Sequence, residues 1–306
     1  MKPAIMFSRL WFACASLYIA LNLLQCAGRF HYDSATPMLQ QSRVTLVTSV
    51  YDIGRKGVDG RSIEAYYTWL ESLISVKAHP LVVYTSDSLP APITNLLDRD
   101  PTISHRKLEL SDLQIWSRRA AIASVLENPH WKASIPHPED ICMRQPDYNI
   151  VQYAKFEFLL DSIQRNVYGS THFVWIDAGI TRHFVQDDLK KKAVPIALRG
   201  EKIYVGCSPS AELVQNGSRR LQKSFVGSNE NVIKGMIFGG AIKAVTSLSR
   251  KTLWVLDQQM LAKNRVDNEQ IAMALVLQQW PHLFRLVKSN HAVSYRWWAM
   301  FTTSAT

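Results

Sequence analysis

Three segments carry residue types that could do chemistry, and each closes an apolar run. In Trp175-Ile176-Asp177-Ala178-Gly179 an acid ends the continuous stretch HFVWI. A carboxylate there must be paired, solvated or metal-bound, because burying it alone is very costly. Gly179 would let backbone approach a ligand closely; the plain alternative is a turn or helix-capping Asp. The second segment is Thr48-Ser49-Val50-Tyr51-Asp52-Ile53-Gly54-Arg55. It offers hydroxyls, an aromatic face for a base, an acid for a ribose hydroxyl and a guanidinium for phosphate. Asp52-Ile53-Gly54 equally reads as a turn in a polar loop. In the third, Gly239-Gly240 follows Met236-Ile237-Phe238, with Asp267 and Glu269 further on. Adjacent glycines suit a floor under a sugar ring, or a tight turn. Asp267 is explained as a helix cap, boxed with Gln270. Glu269 falls in the first turn of that helix, where the dipole favours any anion.

Other chemistries leave no signature. There is no G-x-G-x-x-G, Walker loop, G-x-S-x-G or H-E-x-x-H. The nine histidines show no ligand spacing, and His291 is at most a single ligand. Four cysteines without a C-x-x-C pair exclude a disulfide scaffold and a zinc knuckle. Cys142 and Cys207 would pair in an oxidising lumen or stay as buried thiols.

These segments need elements to hold them. VTLVTSV (44–50), LVVYTS (81–86) and part of 102–110 read as strands, as do HFVWIDAG (172–179), KIYVG (202–206) and KGMIFGG (234–240). Ser62 is placed to cap a helix whose apolar positions Ile63, Tyr66, Leu70 and Leu73 recur at helical spacing. Asp147 is expected to cap a second helix, from Tyr148 to about Asn166, apolar on two faces and so largely covered. A last helix runs from Asp267 toward Pro281, and residues 127–147, with Pro129, Pro136, Pro138 and Pro146, read as an irregular excursion. The alternation predicts an α/β domain with a mostly parallel central sheet flanked by helices. In such sheets ligands bind beyond the carboxyl ends of the strands.

Composition bounds the class. The chain has 306 residues, 47% hydrophobic and 20% charged, enough for a sizeable core and unlike a disordered chain. A formal charge of +10 first suggests nucleic acid. The bases are scattered, however: Arg118-Arg119, Lys190-Lys191-Lys192 and Arg219-Arg220 lie on separate segments, so no nucleic-acid partner is expected. Residues 1–28 hold no acid and only Lys2 and Arg9 as bases. Their run LWFACASLYIALNLLQCA (10–27) would make a helix of roughly 27 Å, the thickness of a hydrocarbon core. It reads as a membrane anchor or as a signal sequence cleaved near Cys26-Ala27-Gly28. Residues 29–42 then form a short tether and 43–306 the working domain. The domain is expected in the Golgi or ER lumen as a single-pass type II protein, or secreted after cleavage.

VTLVTSVYDIGR, the R-S-x-E-x-Y-x-x-W-L helix at 61–70, PLVVYTS, YNIVQYAKFEFLLDSI, FVWIDAG, FGGAIKA and DNEQIAMALV, in this order, resemble the HtrL/YibB family. The similarity covers roughly residues 43–290. That family is associated with surface polysaccharide assembly in bacteria and looks like a GT-A glycosyltransferase. The resemblance implies a single GT-A-like (Rossmann-like) domain that transfers a sugar from a nucleotide-sugar donor, a UDP-sugar first, to a glycan or glycoconjugate acceptor. The apolar N-terminal run, separately from the resemblance, makes a membrane an expected partner. Trp175-Ile176-Asp177 falls at the Asp-x-Asp motif that holds a divalent ion (Mn²⁺ or Mg²⁺) and the sugar diphosphate, but Gly179 stands where the second acid would be. A metal would then rest on Asp177 with help from His291; otherwise Arg55 or Lys155 would neutralise the phosphates. The donor would also meet Thr48, Tyr51, Asp52, Thr85 and Gly179. Gly239, Gly240 and Asp267 would line the sugar and acceptor, and Glu269 would be the general base of an inverting transfer. The missing acid also admits a catalytically inactive relative that binds a glycan or assists a partner enzyme.

Overall fold

A strand that is apolar on both faces needs cover on both, and β1 (Val44–Val50) is buried at all but one position. The structure, a computed structural model, describes residues 44–183, 198, 200–228 and 230–288, which belong to one compact unit. The apolar N-terminal run, the tether, Lys190–Lys192 and His291 lie outside the described residues. No helix among the described residues is long and apolar enough to cross a membrane.

Beside β1 the sheet contains β2 (Leu81–Thr85), β3 (Ile103–Lys107), β4 (His172–Ile176), β5 (Ile203–Cys207), β6 (Ile233–Ala241) and β7 (Phe284–Lys288). The order is β3-β2-β1-β4-β6-β5-β7. Only β6 runs against its neighbours β4 and β5; the remaining pairs are parallel. The expected mostly parallel sheet is therefore present, with one reversed strand inside it. The order turns back between β1 and β4, so a crevice opens beyond their carboxyl ends.

Alternate side chains of each strand face opposite layers. Val47, Tyr84, Phe173, Trp175 and Phe238 point into a large core. That core is completed by α3 (Arg119–Glu127), α4 (Pro146–Arg165), α5 (Ile242–Val255) and α6 (Glu269–Gln279). Val44, Leu46, Val83, Val174 and Ile176 face a second core under α1 (Ile63–Val76) and α2 (Ala91–Arg99). Ser62 caps α1 as expected, its side chain accepting from the Ala65 N–H at 3.4 Å.

Two cap assignments differ from expectation. α4 begins at Pro146, whose missing N–H costs nothing in the first turn. Asp147 instead pairs with Arg119 across to α3. α6 is capped by Asn268, whose Oδ1 accepts from Gln270 and Ile271 N–H groups at 3.0 and 3.3 Å. The proline-rich excursion is more ordered than predicted. It holds a short helix, Pro129–Ser134, capped by Asn128, and a single 3₁₀ turn at Ile141–Met143. Cys142 and Cys207 are both buried and are not joined in a disulfide. One arginine of each basic pair meets an acid here, Arg118 with Asp257 at 3.0 Å and Arg219 with Glu230 at 2.6 Å.

Candidate functional site

The carboxyl ends of β1 and β4 open into a small cleft of about 100 Å³, open to solvent. β1 contributes Ser49, Val50 and, just past it, Tyr51; the following turn contributes Ile53 and Arg55. β4 contributes Trp175 and then Asp177, Ala178 and Gly179. α4 presents Tyr148, Val151, Gln152 and Lys155, a stripe at the spacing that puts helix residues on one side. α1 adds Tyr66, and the flanking segments add Arg61 and Arg182. The Tyr51–Arg55 loop and Asp177 thus share one cleft.

Asp177 is anchored by its backbone, whose N–H donates to Met236 O at 2.8 Å. Its Oδ1 accepts from Trp175 Nε1 at 2.7 Å and from Lys155 Nζ at 3.0 Å. The carboxylate keeps 30% of its surface exposed, so it meets the cleft directly. Lys155 is only 2% exposed. Its ammonium also donates to Glu269 Oε1 at 2.7 Å and to Gly235 O at 3.3 Å. Three acceptors satisfy its three N–H donors. Burial works against its charge, but Asp177 and Glu269 outweigh that and hold its pKa above the ordinary lysine value.

Glu269 is 1% exposed and its Oε2 has no hydrogen-bond partner. Burial raises its pKa above the ordinary carboxylate range, against the opposing pull of Lys155. A Cβ on Gly235 would lie 2.1 Å from Glu269 Oε1, so only glycine leaves room for this carboxylate against β6.

The arginines set the sign of the cleft. Arg55 pairs with Asp59, donates to Tyr66 Oη at 2.6 Å and lies over the Tyr148 ring at 4.8 Å. Arg182 lies over Trp69 at 5.6 Å and donates to His183 Nε2 at 3.0 Å. Partial desolvation, and then the nearby charges of Arg61 and Arg55, draw its pKa below the ordinary arginine value. Like charges held this close favour an anionic ligand that would relieve them.

Several expected site residues fall elsewhere. Gly239 and Gly240 lie within β6, opposite Val174 and Phe173 of β4. Because β6 is reversed, its carboxyl end lies at the other end of the sheet from Asp177. A Cβ would meet Phe173 O at 2.3 Å from Gly239 and Lys202 O at 2.1 Å from Gly240. These glycines let the neighbouring strands approach closely, away from the cleft at Asp177. Thr48 is fully buried within β1, and Thr85, also buried, bonds His105 Nε2 at 2.9 Å. Asp52 closes the turn read as its alternative, accepting from Gly54 N–H at 2.9 Å. Asp267 is buried, accepting from Gly227 and Asn268 N–H groups at 2.7 Å each, and so holds the loop before α6. Glu269 lies behind Lys155 and has no open path to an acceptor. Tyr51, Arg55, Lys155, Asp177 and Gly179 do meet in the cleft. Arg61, Arg182 and Gly235 were not anticipated.

Among the described residues the cleft offers a divalent metal one open carboxylate, Asp177; His291 lies outside them. Among the described residues no group of three or more His, Cys, Asp or Glu side chains could hold one. A Cβ at position 179 would lie 3.1 Å from Arg182 Nη1 and 3.2 Å from the Trp69 ring, so a second acid has little room.

A family model described as "Bacterial protein of unknown function (HtrL_YibB)" matches residues 42–302. No curated protein matches the chain. The match spans most of the sequence, and the chain belongs to this family.

Proposed function

We propose that this member of the HtrL_YibB family is a glycosyltransferase that moves a sugar from a nucleotide-sugar donor, a UDP-sugar first, to a glycan or glycoconjugate acceptor. The observation that carries this reading is the gathering of Arg55, Arg61, Arg182 and Lys155 around Asp177 at the switch point of the sheet. A sugar diphosphate presents two phosphates, and guanidinium groups bind phosphate oxygens through paired hydrogen bonds. In the transfer, the acceptor oxygen bonds to the sugar's C1 as the C1–O bond to the diphosphate breaks. The electron pair leaves with the diphosphate, where fixed cations stabilise the developing charge. The hydroxyl proton needs a base in reach of the cleft. Asp177, one-third exposed and bonded only through Oδ1, suits that role better than the enclosed Glu269.

One observation favours a second reading. Lys155 already holds both Asp177 and Glu269 in ion pairs, which suits a silent member that binds the donor or a glycan without turnover. The deciding experiment offers UDP- and GDP-sugars to wild type and to Asp177→Ala. Transfer or donor hydrolysis that the variant loses supports the enzyme. Binding without turnover selects the silent member, and neither binding nor turnover ends both readings. Residues 1–28 are proposed to anchor the domain in a secretory membrane or to carry it across one. Fractionation of the full chain, with sequencing of its mature N-terminus, distinguishes these routes.

A further inference from the structure

Resemblance to enzymes that grip the donor through an Asp-x-Asp motif raises a divalent ion at Asp177, although Gly179 stands where the second acid would be. The side chains present argue otherwise. The space between Asp177 and Glu269, the two carboxylates a bridging cation would join, is filled by the Lys155 ammonium at 3.0 and 2.7 Å. That ammonium is buried, and Gly235 O takes its third N–H. A divalent ion would have to displace a lysine rooted in the middle of α4, whose neighbours Ala154 and Phe156 are fully buried. The single open acid, Asp177, also accepts from Trp175 Nε1.

We propose that the cleft binds the diphosphate of its donor without a divalent metal ion. Lys155 is a fixed cation between Asp177 and Glu269, and Arg55, Arg61 and Arg182 contact the phosphates. Lys155 offsets one of the two carboxylate charges that would otherwise repel the ligand, so the arginines act on it against less opposition. Arg55 is pre-positioned by Asp59 and by the hydroxyl of Tyr66, so little side-chain freedom is lost when it takes a phosphate oxygen. Arg182 lies over the Trp69 ring and donates to His183 through Nε, which leaves its terminal nitrogens to face a ligand. The inference rests on the nucleotide-sugar reading of this cleft and adds how the negative charge is met.

The test titrates the full chain by calorimetry with UDP, GDP and inorganic pyrophosphate, each in excess EDTA and again with Mn²⁺; Mn²⁺ alone is titrated separately. The expected result is binding in EDTA with a Kd that Mn²⁺ changes by less than about twofold, and no isotherm for Mn²⁺ alone. Arg182→Ala, a variant outside both cores, is expected to weaken binding about tenfold in EDTA, a lost charge-assisted contact. Binding that appears only with Mn²⁺ overturns this inference while sparing the nucleotide-sugar reading. Absence of binding by all three ligands under both conditions overturns that reading and this inference with it.

Discussion

The Nζ of Lys155 stands 2.7 Å from Glu269 Oε1, joining the middle of α4 to the first turn of α6 beneath the end of β4. Both side chains are almost fully enclosed, and the same ammonium reaches Asp177 at 3.0 Å. Removing one member of such a cluster leaves an uncompensated charge, a change that costs about 3–5 kcal/mol. Lys155→Met is therefore expected to lower unfolding stability by that order. Adding Glu269→Gln to it is expected to restore part of the loss, which urea unfolding of the four species of a double-mutant cycle measures. A Lys155→Met variant as stable as wild type would contradict the charge cluster.

Gly239→Ala and Gly240→Ala are expected to damage the sheet and leave ligand recognition alone. Each new Cβ would press on a backbone carbonyl oxygen, at 2.3 and 2.1 Å, which cannot move without shifting a strand. The expected loss is on the order of 3 kcal/mol, typical of overpacking a filled site. Thermal unfolding checks it. A variant with unchanged Tm but altered acceptor affinity would return these glycines to the ligand site.

His79 is buried, and burial lowers its pKa from 6.5 to about 4. At pH 7 it is neutral in both states and contributes no pH dependence. As pH falls below 6.5 the unfolded chain takes up a proton that the folded chain refuses until about pH 4. Stability therefore falls across that window, by up to roughly 3 kcal/mol. Urea midpoints between pH 7 and pH 4 are expected to decline in wild type and to decline less in His79→Gln. Equal slopes in the two proteins would sink the assignment.

Cys142 and Cys207 are enclosed thiols without a disulfide between them, and burial pushes the Cys142 pKa well above the ordinary thiol value. Thiols that stay protonated react slowly with alkylating agents. Peptide mapping is expected to find both positions unmodified after native labelling and fully alkylated after denaturation without reductant. A disulfide-linked peptide joining them would contradict the structure.

The strands were legible because most are covered on both faces, and VTLVTSV, LVVYT and HFVWI announce that with unbroken apolar runs. Strand direction was not. KGMIFGG reads alike in a parallel or reversed strand, and this ambiguity sent Gly239 and Gly240 to the wrong end of the sheet. With β6 reversed, the glycine beside the charged cluster is Gly235. β7 is hard to read because FRLVK is short and carries two charges, and α5 because it follows β6 directly with Ala241, which offers no side-chain cap, at its start. The α6 cap fell one residue from expectation, since Asp267 and Asn268 are both capping types and only Gly227 N–H decides which is engaged elsewhere. Asp177, Tyr51 and Arg55 stood out as polar residues ending apolar runs. Lys155 stood in the middle of a helix, and its one local signal was the Tyr148, Val151, Gln152 and Lys155 stripe. Arg61 and Arg182 sit outside long helices and strands, where spacing carries no information about what a side chain faces.

The central claim is that the cleft at Asp177 holds the diphosphate of a sugar donor, and a crystal structure grown with UDP tests it most directly. The account predicts the two phosphates within hydrogen-bonding distance of Arg182 and of Arg55 or Arg61, at the carboxyl ends of β1 and β4. A nucleotide bound anywhere else on the protein, or a cleft without UDP at saturating concentration, would contradict it.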